Sequence, residues 1–260
     1  MFPLKDSIRI PFIPLSAYAI ILANAAIFLY QQSLRPQAAY NFSLHYALVP
    51  RRYFDAAWAQ LSGLDPHNYL PFISGTFMHA GWWHIVLNMW TLFIFGRSLE
   101  GRIGRFGFLT FYLTCGIAAS FAHAWFNQDS TMPALGASGA IAGVLGAYAV
   151  TFPRAKITIL VLIIILPLFF KIPALAYALV WFGFQFLEGF WDWTGGGGGG
   201  VAWWAHVGGV VAGAVLIPLW RLGPDRTYDE EQERARDDWW DATGEPPGTG
   251  SGGWTKGPWG

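Results

Sequence analysis

Six apolar runs constrain this chain more than any other feature: Leu15 to Gln32, Trp82 to Leu99, Phe106 to Phe126, Ala137 to Phe152, Ala174 to Trp191 and Val201 to Leu222. Glycine, proline or charge separates each from the next. A helix needs roughly 20 apolar residues to cross a bilayer, and several runs approach that length. With 54% hydrophobic and only 12% charged residues, the chain is too apolar for a soluble domain. It reads as an integral membrane protein. The 16 basic residues balance the 16 acidic ones, so no nucleic-acid partner is indicated. The single cysteine, Cys115, lies in an apolar run, which excludes an internal disulfide and makes it a small buried hydrophobe.

Lys5 and Arg9 precede the first run, and Ala23-Asn24-Ala25 resembles a signal-peptide cleavage site. The apolar stretch continues to Tyr30, so a retained first span is expected. Arg97, Arg102 and Arg105 lie between the second and third runs, and Arg154, Lys156 and Lys171 follow the fourth, whereas 127–136 and 192–200 carry no Lys or Arg. The positive-inside rule then gives six crossings with both termini in the cytoplasm, and a bacterial inner membrane is the expected setting. The first loop, with Arg35, Arg51, Arg52, Tyr46, Tyr53, Phe54 and Trp58, is expected in the outer interface. The piece ITILVLIIILPLFF is only 14 residues long before Lys171, which favours a re-entrant or interfacial segment over a seventh crossing. Residues 1–222 form one membrane domain; 223–260, charged and then Gly/Pro-rich, form a cytoplasmic tail expected to be largely disordered.

Polar side chains inside spans are costly and mark function. HAGWWHIVLNMW places His79, His84 and Asn88 on the second run; His84 and Asn88, four apart, share a helix face. Two hydrogen-bond donors on one face suit a developing oxyanion, although they would equally serve helix packing. Ser138 opens the fourth helix, where backbone N–H groups lack intrahelical partners and the dipole favours negative charge. Its own N–H is thus a third candidate donor, and Gly136 permits unusual dihedrals in the approach. A serine nucleophile needs a base. His206 qualifies if the two helices meet, and Gly139/Gly143 and Gly209/Gly213 each form a GxxxG pair suited to close approach. On the assigned topology Ser138 and His206 lie at similar depth.

HAGWWHIVLNMW, GASG and AHVGGVVAG together resemble the signatures of the rhomboid intramembrane serine proteases, in family order across nearly all of the six runs. The resemblance implies an all-α membrane protein, a six-transmembrane-helix bundle with a partly embedded first loop. It implies Ser138 as nucleophile and His206 as general base, in a dyad without an acid. His84, Asn88 and the Ser138 N–H would form the oxyanion site, with His79 beside them. Glu100 matches a family packing position. The implied substrate is a single-pass membrane protein within the lipid bilayer, entering between the second and fifth spans, with no cofactor and no metal.

Two departures from the pattern stand out. The first loop has no Trp-Arg dipeptide, only Arg51-Arg52 and Trp58. Where some members place a tyrosine one turn after the nucleophile, this chain has Ala142, so Trp203 or Trp204 are candidates to orient His206. Six consecutive glycines at 195–200 suit either a movable cap or a merely tolerant connector. Two competing classes remain: a rhomboid-like pseudoprotease that binds membrane clients without cleavage, and a channel or metal transporter using His79, His84, His123 and His206. The second lacks any carboxylate or thiolate cluster.

Overall fold

The structure, a computed structural model, describes residues 2–163, 166–194, 202–220 and 228–229. The chain begins with strands β1 (Phe2–Asp6) and β2 (Ile8–Arg9), then helix α1 (Leu15–Ser33). The first loop holds four short helices, α2 (Pro36–Tyr46), α3 (Arg51–Phe54), α4 (Ala56–Leu61) and α5 (Pro71–Ser74), and a 3-10 turn at Gly75–Phe77. Helices α6 (Trp82–Ile103), α7 (Arg105–Phe126) and α8 (Ser138–Thr151) follow. Strands β3 (Lys156–Ile163) and β4 (Leu166–Pro173) lead into α9 (Ala174–Trp193), α10 (Trp203–Leu216) with its 3-10 extension Ile217–Trp220, and β5 (Tyr228–Asp229). By length and composition, α1, α7 and α10 with its extension are able to cross a membrane. Among the described residues, helices α1, α6, α7, α8, α9 and α10 coincide with the six apolar runs to within a few residues.

The short helix α8 is the hub, with every residue from Gly139 to Ala149 buried. Helix α10 lies against it so closely that a Cβ at Gly209 would collide with the Gly139 carbonyl, and one at Gly213 with that of Gly143. Lipid tails are as apolar as the side chains, so helices in a bilayer gain little from burial as such; dispersion at this backbone-to-backbone contact replaces it. Where α6 turns into α7, Gly104 takes φ +77°, a left-handed conformation that glycine adopts without steric penalty.

Two polar clusters tie the basic end together. The buried Glu100 carboxylate accepts from Ser16 N at 3.1 Å and Ala17 N at 2.8 Å, satisfying donors that the first turn of α1 leaves without partners. Its packing role is therefore a distant helix cap. Asp6 is 8% exposed and accepts from Ser98 Oγ at 2.6 Å, Tyr148 Oη at 3.0 Å and Arg97 at 3.1 Å, joining β1 to α6 and α8.

The expectation of an all-α protein needs correction. The described residues of 157–170, expected as a re-entrant or interfacial segment, are not helical: β3 and β4 pair as an antiparallel hairpin from Lys156↔Pro173 to Ile163↔Leu166, and β1 adds to β3 as a third strand. Its residues ITILV are β-branched at four of five positions, which suits a pleated half-buried surface. Ile157 and Ile159 turn inward, fully or almost fully buried, while Thr158 and Leu160 do not, the period-two pattern of a strand. The glycine run at 195–200 lies outside the described residues, as does the tail apart from β5, which pairs with β2.

Candidate active site

Ser138 is the first residue of α8, and the loop that delivers it is held by the first loop. Leu48 and Ala134 exchange both backbone hydrogen bonds, at 3.0 and 2.7 Å, Arg51 N donates to Ser130 O at 3.0 Å, and Gly136 N donates to Gly75 O at 2.9 Å. Gly136 has φ +135°, and a Cβ there would lie 2.8 Å from the His84 ring. Both the dihedral and the space therefore demand glycine. Gly136 thus sets Ser138 beside His84.

On the other side of Ser138, His206 Nε2 lies 2.7 Å from Ser138 Oγ. The contact depends on the glycine seam, because α10 carries His206 one turn before Gly209 and two turns before Gly213. His206 Nδ1 is hydrogen-bonded to Gln185 Oε1 of α9. An amide oxygen only accepts, so Nδ1 carries the proton and Nε2 is left as an acceptor for the serine hydroxyl. Trp181, one turn before Gln185, lies 5.6 Å from the His206 ring, and Trp203 meets it edge-on at 6.2 Å. Trp204 instead stacks on Phe126 at 4.1 Å. The ring that Ala142 cannot supply thus comes chiefly from α9.

The α6 side differs. His84 Nδ1 accepts from Ala80 N at 3.3 Å, which leaves its Nε2, facing Gly136, as the protonated nitrogen. Asn88 is buried, and its amide nitrogen has no hydrogen-bond partner. His79 is 2% exposed; both ring nitrogens lack partners, and its ring meets His84 edge-on at 5.0 Å and Phe28 at 6.5 Å. It packs behind His84 and does not reach Ser138. A cavity of about 30 Å³ adjoins Ser138, lined also by Ser120 and His123 of α7. That is room for a water molecule, not for a substrate side chain.

Gln185 is not among the residues expected from the sequence, although an amide in an apolar run is an expensive residue that signals a role. The missing Trp-Arg pair is present in space: the Arg51 guanidinium lies 5.4 Å over the Trp58 ring and forms a 2.8 Å ion pair with Asp55. Arg52 is buried, donating to Asp65 O at 2.7 Å, so both guanidiniums of the first loop are hydrogen-bonded within it. Among the described residues no group of three or more His, Cys, Asp or Glu is placed to hold a metal ion.

Three relatives bear on this arrangement. The chain is 31% identical over 148 residues to "Rhomboid protein 1, mitochondrial" of Saccharomyces cerevisiae, covering 55% of this chain and 38% of that protein. It is 37% identical over 98 residues to "Presenilin-associated rhomboid-like protein A, mitochondrial" of Danio rerio, covering 37% and 26%. It is 36% identical over 81 residues to "Rhomboid-like protein 11, chloroplastic" of Arabidopsis thaliana, covering 30% and 29%. The aligned part thus spans well under half the length of each. These names overturn the expectation of a bacterial inner membrane with cytoplasmic termini. Arginine and lysine bias distinguishes the two faces of a membrane, but it does not say which membrane. The Rhomboid domain model matches residues 66–222, more than half of the chain and every segment from the 3-10 turn to α10 that frames Ser138, and the chain belongs to the rhomboid family.

Proposed function

We propose that the chain is an intramembrane serine endopeptidase that cuts transmembrane segments of single-pass membrane proteins with a Ser138–His206 dyad. The observation that carries this reading is the 2.7 Å contact between His206 Nε2 and Ser138 Oγ, at a helix N-terminus with donors converging from α6. Ser138 Oγ attacks the scissile carbonyl carbon as its proton passes to His206 Nε2. The carbonyl oxygen takes the negative charge and accepts from the Ser138 N–H, the Asn88 amide and His84. Each donor of this kind is worth ~2.7–4 kcal/mol in the transition state. His206 then protonates the leaving amine, giving an acyl-serine. Water attacks the acyl carbon, His206 takes its proton, and Ser138 leaves with that proton restored. Gln185 accepts the Nδ1–H throughout, holding the tautomer, a part that an acid plays in triads.

In this reading the six long helices all cross the bilayer. Clients enter between α6 and α9, which touch at the basic end through Phe95 and Tyr177, rings 5.8 Å apart. Two of the three relatives are named as mitochondrial, which supports a mitochondrial membrane as the setting. The test is cleavage of a labile transmembrane substrate by purified protein, with loss of cleavage in both Ser138→Ala and His206→Ala. Full activity in either variant refutes the dyad; substrate capture without cleavage by the unaltered protein favours a client-binding role.

A further inference from the structure

The β-sheet has no part in the chemistry, yet its position is unusual for a strand-bearing segment of a membrane protein. Strand β1 lies along α6: Asp6 is held by Arg97 and Ser98, and Pro3 O accepts from Trp90 Nε1 at 2.8 Å. Phe2 stacks on the Trp90 ring at 5.9 Å. From Ser98 back to Trp90 is about 12 Å of helix at 1.5 Å per residue. The sheet therefore runs from near the basic end toward the middle of α6. Phe2 pairs with Leu160, so the strand from Val161 to Ile163 continues about 10 Å further at roughly 3.4 Å per residue. The tip thus stands beyond the level of Trp90, alongside the helix that carries Asn88.

Polarity is segregated along this sheet. Lys5, Lys156 and Lys171 all lie at its base, level with or below the Thr158 pair. Beyond Thr158, every described residue of β3 and β4 up to Phe170 is apolar. Leu162, Ile163, Leu166 and Phe169 are all more than half exposed, at 64%, 54%, 59% and 63%. Trp83, Val86 and Leu87 of α6 are exposed as well. In a hydrocarbon layer an open strand edge is penalised for each unpaired group. Here Pro167 and Pro173, six apart, point the same way. Proline is tolerated in a strand where the missing N–H would face off the sheet, so the outer edge of β4 lacks a donor at both positions. At the tip half, Pro167 therefore removes one donor from that edge, and the Phe169 N–H, two residues on, is the donor that remains there.

We propose that the β1–β3–β4 sheet is embedded in the bilayer, its tip half contacting lipid acyl chains and its basal lysines reaching the headgroup layer. The occupant of the exposed apolar surface is lipid, not a second copy of the chain or a client helix. The test places a nitroxide at Leu162→Cys and, separately, at Phe169→Cys in protein reconstituted into vesicles, with Gln37→Cys in the first loop as the polar reference. The buried Cys115 stays in place, with unsubstituted protein as the labelling control. Expected is collision with dissolved oxygen several times more effective than with a water-soluble nickel chelate at both tip sites, and the reverse at Gln37→Cys. Chelate access at the tip equal to that at Gln37→Cys overturns the proposal. Exclusion of both reagents also overturns it, assigning the surface to a protein partner. Phe170→Cys substitutes for either tip variant that fails to fold. The readout needs no proteolysis, so its outcome is independent of the proposed activity.

Discussion

The two sides of Ser138 are built to different standards. Toward α10, every polar atom that matters has a partner: the serine oxygen has His206, and His206 has Gln185. Toward α6, the Asn88 amide nitrogen and both His79 nitrogens are buried without one. Satisfying a buried group stabilises the resting protein, whereas an orphaned donor costs free energy until something fills its place. The difference fits a site whose base is pre-assembled by helix packing, while its oxyanion donors are held in readiness for a charge that exists only during reaction.

The comparison breaks most completely at the glycine seam. Gly209→Leu sets a side chain where the Gly139 carbonyl stands, so α10 must move away and carry His206 with it. Overpacking costs ~1–3 kcal/mol or more, and both the thermal midpoint and all cleavage activity are expected to fall; a fully active, equally stable variant would show that the seam does not position the base. On the opposite side, Asn88→Ala is expected to lower kcat roughly 100- to 1000-fold while the thermal midpoint holds, since the lost nitrogen makes no bond in the resting protein. A parallel loss of stability would mean that Asn88 is a packing residue.

Gln185 sharpens the comparison at the base itself. Gln185→Leu removes the acceptor for the Nδ1 proton, and kcat is expected to fall about tenfold, the value of one net hydrogen bond of ~1.4 kcal/mol. KM should stay unchanged. Gln185→Glu should restore much of the rate and move the acid limb of the pH–rate profile upward, because a carboxylate favours the protonated imidazole, which cannot act as base. An unmoved profile in the Glu variant would remove Gln185 from this role.

The smallest effect belongs to the first loop. Asp55 caps α4, and the Trp58 backbone N–H, followed by the Arg51 side chain, holds its carboxyl below the usual carboxylate range. A depressed carboxylate stabilises above its unfolded pKa and loses that contribution as pH falls through the folded value. The first loop should therefore loosen slightly below the ordinary carboxylate range, seen as faster amide exchange around Trp58. Asp55→Ala should loosen it at all pH values and abolish the pH dependence. Undiminished pH dependence in that variant would assign the effect to another group.

Much of this was legible because it is local. Helix positions follow from apolar runs, the His84 and Asn88 relation from helical spacing, and the seam from two GxxxG pairs. Gln185 was visible as a polar residue in an apolar run, but nothing local ties it to a histidine 21 positions later in another helix. The Arg51–Trp58 contact needs the turn between α3 and α4, which no dipeptide encodes. The sheet was hidden for a further reason: length and hydrophobicity describe 157–170 equally well as a membrane helix piece, and its pairing with β1 joins residues more than 150 positions apart. The membrane's identity was not legible, since charge bias is the same in any bilayer with the same insertion polarity.

The central claim is that packing of α10 on α8 makes Ser138 a nucleophile. It is tested most directly by treating the purified, reconstituted protein with a serine-directed fluorophosphonate and reading the intact mass and the modified peptide. The account predicts one adduct per chain, on Ser138, formed slowly or not at all in His206→Ala. A labelled Ser138 whose rate is unchanged in His206→Ala would contradict it, as would no adduct at Ser138 in the unaltered protein.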